Sequence, residues 1–383
     1  MAKGLAIVLV VLGHCLDSAT PARAFVYSFH MPLFFVLAGF TMRPKPRMQV
    51  LVTSFRRLIV PYLAVSAILL FFAFVPPSSI SSSLDTQLPA PVVLGEIAFG
   101  SGQEGSFLGW SYEAIGALWF LPCLFVARLI LNEVLLLGRR VSSRAHAHAQ
   151  WKGFAVELAC VAAIAIVVGF ICGTLQRLPF DIDTACIAVG YMYVGYLAKK
   201  LDLSKLPVWA LAALVIVWLL YPFAGNNEMA IRAYLQHPWS LATSVAGSLV
   251  VMRACMVLER VPGLSGALAW CGISSLSILC VHRVESAVLN WQKIMEFFCP
   301  GVWSWGLTAQ GIYQFALRVA LVLALTAIVR ALARLVRRAW QRSKGARQAE
   351  LSSSQEASEL SGSQETSEQP VTPGSSEPPA PTA

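Results

Sequence analysis

The chain has 383 residues, of which 57% are hydrophobic and only 13% are charged. Soluble domains carry roughly 25% charged residues, so this chain has more apolar side chain than a water-soluble fold of its length can bury. Its formal net charge of +9 comes from Lys and Arg in short clusters between apolar stretches, with no basic domain interleaved with aromatic residues. The composition therefore indicates an integral membrane protein in contact with a lipid bilayer, and it argues against nucleic acid as a partner.

Apolar stretches of about 20 residues predict an all-α, polytopic membrane protein with about ten transmembrane helices. In chain order these stretches are 3–19, 25–42, 57–75, 112–136, 154–173, 183–198, 208–224, 238–257, 267–288 and 311–333. We assign residues 1–345 to one membrane domain. Residues 346–383 are rich in Ser, Glu, Pro and Thr, which predicts a disordered cytoplasmic tail.

The basic residues indicate the topology. Most of the 29 Lys and Arg residues fall in alternate connections, and the intervening connections contain only Arg23, Arg177, Arg232, Arg283 and Lys293. Because cytoplasmic loops carry the excess of positive charge, an even number of crossings with both termini in the cytoplasm of a cell-membrane protein satisfies the pattern. The longest predicted external connection spans residues 76–110.

Several common catalytic and binding motifs are missing from the chain. Its nine cysteines lie mostly in apolar stretches with no paired spacing, which indicates neither a disulfide framework nor a metal site. The sequence has no phosphate-binding G-x-x-x-x-G-K-[ST], no G-x-S-x-G and no H-E-x-x-H. These absences count against ATP-driven transport, serine-hydrolase chemistry and zinc-peptidase chemistry.

His14 is the clearest candidate for chemistry, because ionisable residues inside a membrane are costly and so are usually functional. It follows Lys3 by 11 residues, which places it about 16 Å deeper on nearly the same helix face. Asp17, three residues further, is expected to share that face and to polarise the imidazole. The alternative is a histidine that only bonds a neighbouring helix, and the alignment of Lys3, His14 and Asp17 favours function.

Four further residues are candidates for lining a cavity. His30 lies beside Pro32, which is expected to open the second helix. His282 follows Ser275 by seven residues on one helix face, although a packing helix with small residues gives the same pattern. Trp119 suits either an interfacial aromatic belt or a wall against which a ligand stacks.

Arg56 and Arg57 stand at the cytoplasmic end of the third predicted span, before Pro61. Two guanidinium groups at such a place can clamp a phosphorylated ligand. Anchoring of the helix by the positive-inside rule explains the pair almost as well.

Several segments together resemble the acyltransferase-3 family, especially its fucose 4-O-acetylase-like branch. The family opens with a basic residue, ten residues and a histidine, which Lys3 and His14 reproduce. Further similar segments are 29–40, 57–62, 118–122, 195–200 and 272–282, so the resemblance extends from residue 3 to about 335. One departure is Ser54, where the family often has an arginine three residues before Arg57.

The resemblance implies that an acetyl or other acyl group moves from coenzyme A, a co-substrate and not a permanently bound cofactor, to a sugar hydroxyl of the cell envelope. His14, assisted by Asp17, would be either the general base or a covalent acyl carrier. The implied donor residues are Lys3, Arg56 and Arg57, and the implied acceptor side is His30, Trp119, Ser275 and His282. The competing hypothesis is a transporter or flippase for an envelope glycan precursor, against which stand the missing repeat and the scarcity of buried carboxylates.

Overall fold

The computed structural model describes residues 1–74, 90–107, 109–144, 150–225 and 227–365. Much of the predicted external connection, residues 75–89, lies outside this described part. The helices in the first half are α1 Ala2–Gly13, α2 Pro21–Tyr27, α3 His30–Phe40, α4 Arg47–Ser54, α5 Val60–Phe72, α6 Ala90–Phe99 and α7 Phe120–Arg144. The rest are α8 Gln150–Ile164, α9 Gly173–Leu175, α10 Ile182–Lys200, α11 Val208–Leu219, α12 Tyr221–Ala224, α13 Ser240–Leu258, α14 Leu264–Val288, α15 Trp291–Phe298 and α16 Leu307–Glu365.

Strands are a minor feature of the described residues. β1 Gly105–Phe107 pairs antiparallel with β2 Trp110–Tyr112, with Ser106 opposite Ser111. This hairpin lies between α6 and α7, in the connection predicted to be external. The protein is therefore all-α in class, as the apolar pattern predicts.

Within the described residues, seven helices or continuous helix pairs are long and apolar enough to cross a membrane, or up to eight if one bent pair is counted. The seven are Pro21–Phe40, Arg47–Phe72, Gly116–Arg144, Trp151–Leu175, Ser240–Leu258, Leu264–Val288 and Leu307–Lys344. The chain is thus a multi-pass membrane protein, and the total of ten crossings stays a prediction.

The three remaining predicted spans also coincide with helices. α1 has only 12 residues, and at about 1.5 Å per residue it is too short to cross a hydrocarbon layer alone. α10 carries Asp183 and three tyrosines, which make it less apolar. α11 and the segment after it are bent by 48°.

The predicted opening of the second span lies earlier than Pro32. α2 ends at Tyr27 and α3 begins at His30, so the break falls at Ser28 and Phe29. Pro32 occupies the first turn of α3, where a backbone N–H has no helical acceptor and proline is tolerated.

Glycines set the closest helix contacts. A Cβ at Gly4 would lie 1.8 Å from the carbonyl oxygen of Leu268, so α1 and α14 touch backbone to backbone. A Cβ at Gly39 would lie 1.8 Å from the carbonyl oxygen of Met192, which brings α3 equally close to α10. Small residues allow such approach in membrane helices, and α1, α3 and α14 each form part of the wall of the candidate site.

α16 continues into the segment for which the sequence predicts a disordered tail. α16 continues to Glu365, so residues 346–365 are helical, and residues 366–383 lie outside the described part. The chain separates into two compact units, Met1–Thr326 and Ala327–Ala383, so the predicted boundary at residue 345 falls within the second unit. Gln, Glu and Ala in this stretch are good helix formers. The prediction of disorder gave more weight to the low apolar content of the same residues.

Candidate functional site

A cavity of about 460 Å³, here called cavity A, lies between α1, α3, α7 and α14. Its walls are mostly apolar. The polar side chains that line it include Lys3, His14, Tyr27, His30, Thr41, Ser54, Arg57, Trp119, Arg128, Glu228 and Ser275. All of them lie within the unit Met1–Thr326.

Three cations line cavity A at the end where α1 begins. Lys3, Arg57 and Arg128 are close enough for their charges to repel one another. None of the three forms an ion pair within the described part of the chain, and Nε of Arg128 is buried without a hydrogen-bond partner there. Such a group of cations is suited to binding an anion, and guanidinium groups match phosphate oxygens in particular.

Arg57 belongs to an irregular helical turn that brings it to the three-cation end of cavity A. Residues Phe55–Ile59 form a π-helical turn between α4 and α5, a feature that is frequent at functional sites. Both arginines are exposed, but Arg57 lines cavity A, whereas Arg56 lines neither of the cavities described here. The structure thus separates the two arginines that the sequence suggested as a clamp, and Arg128 occupies the place beside Arg57.

His14 stands at the other end of α1, about 16 Å from Lys3 at 1.5 Å per residue. Protein atoms surround it, yet its ring is accessible to water-sized molecules because it borders open space in cavity A. His30 lines the same cavity and packs edge-on against Tyr27, with ring centroids 4.6 Å apart. Nδ1 of His30 lies 2.9 Å from the carbonyl oxygen of Val26, so Nδ1 donates and Nε2 of the neutral ring is an acceptor.

His14 also borders a second cavity of about 350 Å³, here called cavity B. Its lining is more polar than that of cavity A and comes from the ends of α1 and α14, from α15 and from α16. The residues are His14, Gly116, Ala117, His282, Arg283, Ser286, Leu289, Asn290, Trp291, Gln292 and Arg318. His14 and Ala117 line both cavities, so the two spaces meet at the histidine.

Glu285 pairs with two basic groups of cavity B, His282 and Arg318, whereas Nε of Arg283 donates to the carbonyl oxygen of Ile115. Nδ1 of His282 lies 2.7 Å from Oε1 of Glu285, and the Arg318 guanidinium approaches the same oxygen at 3.1 Å. Trp291 donates its indole N–H to the other carboxylate oxygen and stacks against the Arg318 guanidinium. The His282 ring lies 5.3 Å from that of His14, measured between centroids.

The structure brings most of the predicted site residues together. Cavity A is lined by Lys3, His14, His30, Arg57, Trp119 and Ser275, and cavity B is lined by His14 and His282. Asp17 is the exception besides Arg56. α1 ends at Gly13, so Asp17 lies in an exposed turn and not on the helix face assumed above, and its carboxylate accepts the Ala19 N–H at 2.8 Å.

Sequence reasoning missed Arg128, Arg318 and Glu285. The two arginines lie well inside the predicted spans 112–136 and 311–333, and a search for charges within spans finds both. Glu285 follows His282 by three residues, which is the spacing of neighbours on one helix face. Within the described residues no group of three or more His, Cys, Asp or Glu side chains is placed to hold a metal ion.

A multi-helix membrane body in which a cation-lined cavity leads to a histidine shared with a second cavity defines an integral membrane protein with a site suited to an anion. A family model for an acyltransferase domain matches residues 1–333, so the chain belongs to the acyltransferase-3 family and is a membrane acyltransferase. No curated protein and no solved structure matches the chain.

Proposed function

We propose that the protein is an O-acyltransferase that moves an acetyl or other acyl group from coenzyme A to a hydroxyl of a cell-envelope or exported sugar. The observation that carries the proposal is the position of His14, which borders cavity A and cavity B together. A residue at the junction of two cavities can contact an acyl group held in one and an acceptor that enters from the other.

Cavity A suits the donor. Coenzyme A carries several phosphates, and the three cations Lys3, Arg57 and Arg128 offer charge-assisted hydrogen bonds to them. The largely apolar walls between these cations and His14 suit the pantetheine arm and the acyl chain. Bound in this way, the thioester carbonyl lies at the histidine end.

Two roles for His14 are compatible with this placement. As a general base it takes the proton from the attacking hydroxyl, which is worth about 10² to 10⁴ in rate. As a covalent carrier its ring nitrogen takes the acyl group from sulfur and passes it to the acceptor. In both cases the thiol of coenzyme A is released and an ester is formed, and the fucose 4-O-acetylase-like branch is the subtype whose acceptor chemistry we expect.

The test compares purified wild-type protein with His14→Gln, incubated with radiolabelled acetyl-coenzyme A and a pool of methyl glycosides. We expect the wild-type protein to label the sugars, and His14→Gln to bind coenzyme A with unchanged affinity while transfer falls at least about a hundredfold. Glutamine keeps polarity and approximate size but supplies no base. A carrier for glycan precursors would leave the thioester intact, and near-normal transfer by the variant would remove His14 from the mechanism.

The topology is part of the same proposal, because a cytoplasmic donor requires the Lys3 end of cavity A to face the cytoplasm of a cell-membrane protein with both termini inside. Ser304→Cys and Ser204→Cys form a matched pair, since both serines are exposed in connections between helices. An impermeant thiol reagent added to intact cells should label Cys at 304 above the background of native cysteines and leave 204 unlabelled. The reverse pattern contradicts the orientation.

A further inference from the structure

Cavity B contains an arrangement that the acyl donor does not need. His282 lines cavity B but not cavity A, and it is 2% exposed and held by Glu285. Glu285 in turn has three partners, His282, Arg318 and Trp291. A buried carboxylate with all its partners in place fixes the side chains around it.

The Glu285 contact decides which nitrogen of His282 is basic. A carboxylate oxygen 2.7 Å from Nδ1 accepts a hydrogen bond, so Nδ1 carries the proton of the neutral ring and Nε2 carries the lone pair. Nε2 has no protein partner within the described part of the chain. A histidine oriented through one nitrogen by a carboxylate and open at the other is the arrangement of a general base.

The distance between the two histidines is suited to one reaction. With ring centroids 5.3 Å apart, a group bonded or hydrogen-bonded to His14 lies within reach of a second group hydrogen-bonded to His282. Around them Ser286 and Gln292 are hydroxyl and amide groups of the kind that bind sugar hydroxyls.

We propose that cavity B is the acceptor site for a sugar hydroxyl, that His14 acts as the covalent acyl carrier, and that His282, positioned by Glu285, is the base that removes the hydroxyl proton; this rests on the proposed function. The proton moves to Nε2 of His282 as the oxygen forms a bond to the acyl carbonyl carbon. The bond from that carbon to its leaving group then breaks, and the leaving group takes the electron pair. The proton passes from His282 to the departing atom, so the products are an ester and a neutral leaving group.

In this assignment Glu285 is a positioning residue. It holds the Nδ1–H tautomer of His282 and stabilises the imidazolium that forms during proton transfer. Glu285→Gln keeps a hydrogen-bond acceptor of similar size but removes the negative charge, whereas Glu285→Asp keeps the charge on a shorter side chain.

Two acyl acceptors distinguish the loss of a catalytic base from a structural defect. An alcohol needs a base when it attacks a thioester, whereas hydroxylamine attacks through an unprotonated nitrogen at neutral pH. The experiment supplies radiolabelled acetyl-coenzyme A with either a pool of methyl hexosides, N-acetylhexosaminides and 6-deoxyhexosides, or hydroxylamine, and His14→Gln gives the uncatalysed background for both.

We expect His282→Gln to lose transfer to the glycosides by about 10² to 10⁴, and to keep transfer to hydroxylamine within about tenfold and coenzyme A affinity unchanged. Glu285→Gln should also lose transfer to the glycosides, by at least about tenfold, and keep transfer to hydroxylamine. Glu285→Asp should recover part of the lost glycoside transfer. The matched controls His237→Gln and Glu133→Gln change exposed side chains, the latter in the Arg47 ion pair at 2.6 Å, and should behave as wild type.

Each of the other possible outcomes contradicts one specific part of the proposal. Equal loss with both nucleophiles makes His282 structural, and retained glycoside transfer by His282→Gln removes it as the base, while the proposed function stands in both cases. Wild-type transfer to hydroxylamine but to none of the glycosides overturns cavity B as a sugar site. Wild-type transfer to neither nucleophile overturns the proposed function itself.

Discussion

The two cavities that meet at His14 differ in how their charges are compensated. In cavity A, Lys3, Arg57 and Arg128 have no acidic partner among the described residues, whereas in cavity B the Arg318 charge is paired with Glu285. Grouping three like charges inside a membrane protein is unfavourable unless an anion joins them. A satisfied ion pair, by contrast, orients its neighbours and needs no ligand.

Under the proposed function, this difference separates donor binding from catalysis. The cations of cavity A would then bind an anion that comes and goes, so we expect their energetic contribution to appear when the donor binds. The His282 and Glu285 pair is complete before any ligand arrives, as expected of a preorganised catalytic group. Variants that alter one cavity and leave the other intact therefore test whether the two cavities have distinct roles.

The largest effect is expected from Gly4→Ala, because both cavities depend on the contact between α1 and α14. A Cβ at Gly4 would lie 1.8 Å from a backbone oxygen, so the helices must separate, and Lys3 and His14 move with α1. We expect a loss of about 3 kcal/mol of stability, as for severe overpacking, together with loss of donor binding and of transfer. Thermal unfolding in detergent and coenzyme A binding measure the two effects.

Gly266→Ala is the matched control, since no atom lies within 4 Å of a Cβ at that position of α14. Gly266 lies in the first turn of α14, and alanine is a better helix former than glycine, so this variant should be as stable as wild type or slightly more so. Equal stability of the two variants would contradict the close packing of α1 on α14.

A smaller effect, confined to cavity A, is expected from Arg128→Gln and Arg57→Gln. Each removes one charged hydrogen-bond donor worth about 1.5–3 kcal/mol, which corresponds to roughly 10- to 100-fold in the Kd of coenzyme A. Transfer at saturating donor should change less, because cavity B is untouched. Isothermal titration calorimetry with coenzyme A gives the affinities.

Arg56→Gln supplies the control for these variants, because Arg56 is exposed and lines neither cavity. Its affinity for coenzyme A should equal that of the wild type. If Arg56→Gln weakens binding as much as Arg57→Gln does, the adjacent pair acts as one clamp, and the role assigned to Arg128 fails.

The sequence predicts the positions of the helices better than it predicts which helices pack against one another. Apolar windows locate α7, α13 and α14 because burial in lipid requires a long apolar run. Nothing local in the chain indicates that α1 packs on α14, since the contact depends on Gly4 meeting a backbone about 265 residues away. The proximity of His14 to His282 is therefore outside the reach of pattern reasoning.

Asp17 shows a related limit. The projection of Lys3, His14 and Asp17 onto one face assumes a continuous helix, and α1 ends at Gly13. Lys3 and His14 lie within or directly after the helix, so their relation holds, whereas Asp17 lies beyond it. The site residues that sequence reasoning missed, Arg128, Arg318 and Glu285, are charges inside apolar stretches. A search of the spans detects such charges even though it cannot tell what they face.

The smallest effect concerns a carboxylate beside cavity B. Glu96 on α6 is 4% exposed, and burial raises its pKa to about 7. The charge of Arg283, which lines cavity B, opposes that rise in pKa, and the charge of Glu113 adds to it. Because the pKa in the folded protein is above the usual value near 4.5, the folded state binds the proton more tightly than the unfolded chain. The resulting stabilisation is complete below about pH 4.5 and is lost as the pH rises through about 7.

Glu96→Gln mimics the protonated carboxyl and should remove this pH dependence. We expect the two proteins to unfold at the same temperature near pH 5, and the wild type to be the less stable at pH 8 by on the order of 1 kcal/mol, since partial screening reduces the effect. Glu104→Gln changes an exposed carboxylate nearby and should show no such divergence. A gap that is constant from pH 5 to pH 8 would mean that Glu96 does not titrate in this range, and the charge that faces Arg283 behind cavity B would then be fixed across neutral pH.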